Sequence, residues 1–158
     1  MKKGIVAVLA GSIGIIIGIG IAVVTVGKNF NKYNGKVDKF KSYYYMLNHW
    51  LQLKQKGKCM ESYFVENGYK EIAIYGMGEL GKRLYSELEN TDIKIKYAVD
   101  KMANCEITGL EIFDLDETLD EVDAIIVTAT FDFEDIYEKL QEKVSFPIVS
   151  LEDIIYEI

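Results

Sequence analysis

The sequence predicts an α/β domain with a parallel sheet, attached to a membrane by an N-terminal helix, and three observations support this class. Residues 4–27 form an apolar run of 24 residues without a charge. Residues 76–81 form a glycine-rich turn between a strand-like run and a helix-like run. From about residue 70 onward, strand and helix patterns alternate, which is typical of a parallel sheet. We therefore expect a transmembrane anchor over 1–27, a basic linker with helices over 28–68 and an α/β domain over 69–158.

The apolar run follows Lys2 and Lys3 and is long enough to span a bilayer at ~1.5 Å per residue. A secretory signal peptide is the alternative, but its apolar core is usually ~7–15 residues and a small-x-small cleavage site is missing here. More lysines follow the run than precede it, which places the C-terminal domain in the cytoplasm. We therefore expect a single-pass protein of the inner (cytoplasmic) membrane.

Small residues recur every four positions within the predicted span. This spacing lets two helix backbones approach closely and predicts a homodimer. Glycine and alanine are also common in membrane helices without any dimer, so both interpretations stay open. The stripe consists of Ala10, Gly14, Gly18 and Ala22.

Charge is divided unevenly along the chain. Residues 1–58 carry ten lysines and one acidic residue, whereas residues 59–158 carry eight basic and 24 acidic residues. The first part therefore has a charge of +9 and the second −16, within a total of −7. Because nucleic-acid binding needs a basic surface, we expect no nucleic-acid partner. Two cysteines and one histidine cannot build a metal site of ordinary spacing, so we expect no metal.

The glycine-rich turn has the spacing Gly-x-Gly-x-x-Gly and lies where a strand meets a helix. Gly76 allows a tight turn, Gly78 lets the backbone approach a pyrophosphate, and Gly81 lets the helix pack close to the strand. The helix then directs free N–H groups and its positive dipole end at the phosphates. The ligand-contacting positions predicted here are Gly76, Met77, Gly78, Glu79, Leu80 and Gly81.

Three more positions complete the predicted site. Asp100 ends the next strand, 19 residues after Gly81, where a carboxylate accepts hydrogen bonds from a ribose and favours NAD over NADP. Lys101, which follows it, weakens that preference. Thr128 and Ala129 end the fourth strand and would line the ligand crevice; an ordinary role in the strand and turn is equally compatible with their sequence.

The order of predicted elements defines the topology. The strand-like runs are 71–75, 94–100, 110–113, 124–129 and 147–151. The helix-like runs are 37–56, 59–67, 82–89, 131–143 and 152–158. Right-handed crossovers then give a sheet of about five strands in the order 3-2-1-4-5, with a crevice between the first and fourth strands.

The first of these helices carries an apolar seam with alternating spacings of three and four residues. Such a seam is compatible with a short coiled coil or with packing on the helix's own domain. His49 falls off the seam on a polar face, and we expect it to be exposed rather than catalytic. The seam consists of Val37, Phe40, Tyr44, Leu47 and Leu51.

Residues 69–100, with their glycine turn and the closing Tyr-Ala-Val-Asp, resemble a group of small Rossmann-like domains. Residues 43–54, 124–129 and 149–155 look like the same group, so the resemblance covers about 37–158. These domains occur in bacterial cell-surface polysaccharide proteins, often fused or adjacent to glycosyltransferases. The turn is also similar to that of the nucleotide-sugar domain of sugar acetyltransferases, where it holds a UDP-sugar. The resemblance implies a nucleotide ligand, NAD or a nucleotide sugar, and a glycosyltransferase partner.

Three functions remain open at this stage. The first is a membrane-anchored accessory module that binds NAD(H) or a nucleotide sugar in surface polysaccharide biosynthesis. The second is an oxidoreductase or epimerase acting on a nucleotide sugar. The short domain and the missing Tyr-x-x-x-Lys pair argue against the second. The third is a structural module whose Rossmann fold binds nothing.

Overall fold

A computed structural model describes residues 35–100 and 109–158. The chain divides into two compact units, 1–44 and 45–158. Residues 35–44, the described end of the first unit, are helical. The predicted span, its stripe of small residues and Lys101 lie outside the described residues. Within the described ranges, no helix has the length and apolar character needed to cross a membrane.

The second unit is built on a five-stranded, fully parallel sheet. The strands are β1 (Glu71–Tyr75), β2 (Lys94–Val99), β3 (Glu111–Phe113), β4 (Ala124–Val127) and β5 (Ile148–Ser150). Their spatial order is β3-β2-β1-β4-β5, which confirms the predicted order. The interior strand β4, which lies between β1 and β5, is buried along its whole length, as its continuous apolar run requires.

Helices precede, connect and follow the strands. They are α1 (the helical residues 45–55 of the second unit), α2 (Glu61–Glu66), α3 (Glu79–Leu88), α4 (Phe133–Leu140) and α5 (Leu151–Glu157). Gly57 and Gly68 have positive φ angles of 75° and 74°, so α1 and α2 end near glycines as predicted. Ile136 and Leu140 of α4 pack with Ala73 and Tyr75 on one face of the sheet. Alternation along β1 turns Ile72 and Ile74 to the other face.

The region after β4 differs from its prediction. The predicted strand 124–129 ends at Val127, and a short 3-10 helix (Thr130–Asp132) precedes α4. Just after the strand, the hydroxyl of Thr128 donates to the carbonyl of Gly76 in the glycine turn at 2.6 Å. The predicted helix 131–143 is accordingly reduced to Phe133–Leu140.

The first helix packs through a different face from the predicted seam. Met46, Trp50 and Leu53 are buried, whereas the seam residues Leu47 and Leu51 are 43% and 56% exposed. The seam is therefore not the face that α1 buries in the second unit. On the buried face, Trp50 Nε1 donates a hydrogen bond to Glu87 of α3 at 2.8 Å.

His49 also differs from its prediction. Its ring stacks on Tyr156 of α5, with centroids 5.0 Å apart and planes 16° from parallel. The side chain is half-buried rather than exposed. Its position on α1 gives it a packing role.

Candidate functional site

Two glycines of the turn are required by the fold itself. Gly76 has a φ of +92°, a conformation that other residues rarely adopt, and its N–H donates to Val99 of β2 at 2.8 Å. A Cβ atom on Gly81 would lie 2.1 Å from the carbonyl oxygen of Gly76. This distance is far below van der Waals contact, so the helix can approach the turn only with glycine at position 81.

Gly78 is different, because no residue in the described part of the chain requires a glycine there. It is the N-cap of α3, and its φ of −68° and ψ of −163° are accessible to other residues. A Cβ atom at this position would meet no atom within 4 Å. Gly78 thus leaves the backbone bare and accessible at the start of a helix.

Helix α3 begins beside Gly78, and its first backbone N–H groups have no partner within the helix. These groups lie at the positive end of the helix dipole. Leu80 is buried and Met77 is 2% exposed, so their side chains belong to the interior. Glu79 is exposed and lies 3.7 Å from Arg83. Of the predicted turn positions, Leu80 and Met77 can therefore offer a ligand only their backbone.

Asp100 lies beside the turn, as the spacing predicts, but it already has a structural contact. Its Oδ2 accepts a hydrogen bond from the backbone N–H of Met77 at 2.6 Å. The side chain is half-buried at the end of β2. Asp100 therefore orients the glycine turn, and any ribose contact would be made by a carboxylate that also holds this backbone.

Thr128 and Ala129 have different surroundings in the structure. Thr128 is 4% exposed, and its hydroxyl donates to the carbonyl of Gly76 at 2.6 Å and lies 3.2 Å from that of Tyr75. The Thr128 hydroxyl therefore stabilises the glycine turn. Ala129 is half-buried and lines an open cleft.

This cleft has a volume of about 360 Å³ and opens at the carboxyl ends of β1 and β4. Its walls come from the ends of three strands and from one side of α4. The lining residues are Tyr75, Gly76, Asp100, Ala129, Asp132, Asp135, Ile136 and Lys139. Sequence reasoning did not assign Tyr75, Asp135, Ile136 and Lys139 to the site. The helical spacing of residues 132, 135, 136 and 139 could have indicated them, because it places these residues on one side of α4.

The cleft has a negative lining. Three carboxylates face one ammonium group, Lys139. Burial, reinforced by the charges of Asp100 and Asp114, raises the pKa of Tyr75. That phenol therefore stays protonated near neutral pH and cannot serve as a general base. In the part of the chain that the structure describes, no three His, Cys, Asp or Glu side chains are grouped to hold a metal ion.

The model of the C2185-like, N-terminal family matches residues 68–147, half of the chain. The chain belongs to this family. The matched region contains the glycine turn, Asp100 and all the residues that line the cleft. No curated protein and no solved structure matches the chain significantly.

Proposed function

We propose that the chain is a membrane-anchored accessory module that binds NAD(H) or a nucleotide sugar through its glycine turn. The observation that carries this proposal is Gly78, a glycine without a conformational or steric reason within the fold. A bare backbone at a helix N-terminus suits close approach of a pyrophosphate. An empty structural module would need glycine at 76 and 81 but not at 78.

The ligand fits the site in three parts. Its pyrophosphate lies against Gly78 and receives hydrogen bonds from the first N–H groups of α3. Its ribose lies near Asp100, at the end of β2. Its base enters the cleft, where Ala129 and Ile136 supply apolar surface. NAD(H) fits this division best, and a nucleotide sugar is the alternative ligand.

Among the described residues that line the cleft, Tyr75 cannot serve as a general base, because burial and the charges of Asp100 and Asp114 raise its pKa and keep it protonated. This supports a binding role rather than catalysis. The resemblance to domains of surface polysaccharide proteins supports a glycosyltransferase as the partner of the module. A retained membrane anchor keeps the two proteins on the same bilayer.

A glycine-to-valine exchange tests this proposal. Gly78→Val fills the open space at the helix N-terminus, so we expect at least a tenfold loss of affinity for NAD(H) or UDP-sugars in calorimetric titration of the full chain in detergent. The melting temperature stays near that of the wild type, because nothing lies within 4 Å of the new Cβ atom. Gly35→Val is the matched control, since Gly35 also has open space around its Cβ position and no positive φ. Unchanged affinity in Gly78→Val contradicts the proposed site.

A further inference from the structure

Charge in the cleft bears on which nucleotide the module accepts, provided that the proposed nucleotide site is correct. The charged side chains that line it are Asp100, Asp132, Asp135 and Lys139. Among the described residues that line the cleft, these charges sum to two negative charges beside the proposed position of the ribose. The same side of the cleft also carries apolar surface from Ile136, which reduces the screening of those charges by water.

We propose that Asp135 of α4 is a specificity-determining residue that rejects nucleotides with a phosphate on the ribose. Free ribose hydroxyls donate hydrogen bonds to carboxylates, whereas a ribose phosphate brings further negative charge towards Asp135 and its neighbours. NAD(H) therefore binds and NADP(H) is excluded. Two sides of the cleft discriminate NAD(H) from NADP(H): Asp100 at the end of β2 and Asp135 in the first turn of α4.

Asp135 is a better test of this discrimination than Asp100. The Oδ2 atom of Asp100 accepts the N–H of Met77 at 2.6 Å, so its replacement also disturbs the glycine turn. Asp135 lies in the first turn of α4 and is exposed, so it can be replaced without loss of that contact. A change at Asp135 thus alters the charge of the cleft and leaves the phosphate-binding turn intact.

The experiment measures the ratio of the dissociation constants for NADP and NAD on the full chain in detergent. We expect a ratio well above one in the wild type. One unit of charge close to a phosphate changes its affinity by about two- to fivefold, so Asp135→Asn narrows the ratio by about that factor and Asp135→Lys by about its square. Glu134→Lys is the matched control, because Glu134 lies in the same helical turn but does not line the cleft.

The outcomes separate this inference from the proposed function. If a folded chain binds no nucleotide, both fail. If NAD and NADP bind equally well, or if a UDP-sugar binds and neither dinucleotide does, the inference is overturned and the nucleotide site stands. It is also overturned if Asp135→Lys leaves the ratio unchanged or if Glu134→Lys shifts it as much. Should the lysine variant fail to fold, the isosteric Asp135→Asn decides.

Discussion

Glu87 is the carboxylate that attaches α1 and α2 to α3, and its replacement should strongly destabilise the second unit. Its side chain is only 7% exposed. Oε2 accepts the indole N–H of Trp50 at 2.8 Å, and Oε1 accepts the backbone N–H of Met60 at 3.0 Å. Lys54 lies 3.1 Å from the same Oε1. Groups from α1 and from the start of α2 thus share one carboxyl group of α3 that lies at least 27 residues away in the sequence.

The magnitude follows from these contacts. Glu87→Ala leaves two donors without their acceptor, and an unsatisfied buried donor costs about 1–3 kcal/mol. Lys54 is about half exposed, so its ion pair adds little. We therefore expect Glu87→Ala to lower the free energy of unfolding by about 3 kcal/mol. Glu87→Gln keeps one acceptor oxygen and places its amide near a donor, so we expect about half that loss.

Trp50 provides the assay, because it is the one tryptophan of the chain. Urea unfolding of the full chain in detergent, followed by tryptophan emission, gives the free energy of each variant. Glu89→Ala, an exposed residue just beyond the end of α3, is the control. Trp50→Phe, measured by circular dichroism, completes a double-mutant cycle in which we expect a coupling of about 1 kcal/mol or more. A loss below about 0.5 kcal/mol in Glu87→Ala, within the range of ordinary surface substitutions, would refute the reasoning.

Two further predictions concern the turn and the amino ends of the central strands. Gly81→Ala should destabilise the protein by about 2 kcal/mol or more, because its Cβ would lie 2.1 Å from a backbone oxygen. Gly78→Ala should be nearly neutral, because its Cβ would have open space. Equal melting temperatures for the two variants would contradict the packing argument. The backbone N–H groups of Glu71 and Lys70 donate to Asp123 and lower its pKa. The ionised Asp123 therefore stabilises the fold above the unfolded pKa of about 3.9, and this contribution is lost as the pH falls through the lower folded pKa. We expect the melting temperature of Asp123→Asn to fall less than that of the wild type between pH 5 and pH 2, and parallel curves would disprove this linkage.

The sheet could be predicted because its signals are local. β1 and β4 are continuous apolar runs, the glycine turn marks the first connection, and crossover handedness then restricts the order to 3-2-1-4-5. The packing of α1 could not be predicted in this way. Its 3–4 spacing favoured the face of Leu47 and Leu51, whereas the buried face carries Trp50, which contacts Glu87, 37 residues away.

The far wall of the cleft escaped prediction for a related reason. The apolar spacing of α4 correctly favoured Ile136 and Leu140 as its buried side. Which polar residues of α4 line the cleft depends on the placement of this helix against Tyr75, Gly76 and Asp100, which are distant in the sequence. The periodicity of α4 alone does not locate these neighbours.

The glycine turn itself is where sequence and structure add most to each other. The motif assigns a role to each of its three glycines, but a sequence cannot distinguish a glycine kept for folding from one kept for a ligand. The structure makes that distinction. Gly76 has a positive φ, and a Cβ atom on Gly81 would clash with a carbonyl oxygen, whereas Gly78 has neither constraint. Mutations at 76 and 81 consequently confound binding with stability. At position 78, by contrast, a loss of binding can be attributed to a side chain that occupies the place of the ligand.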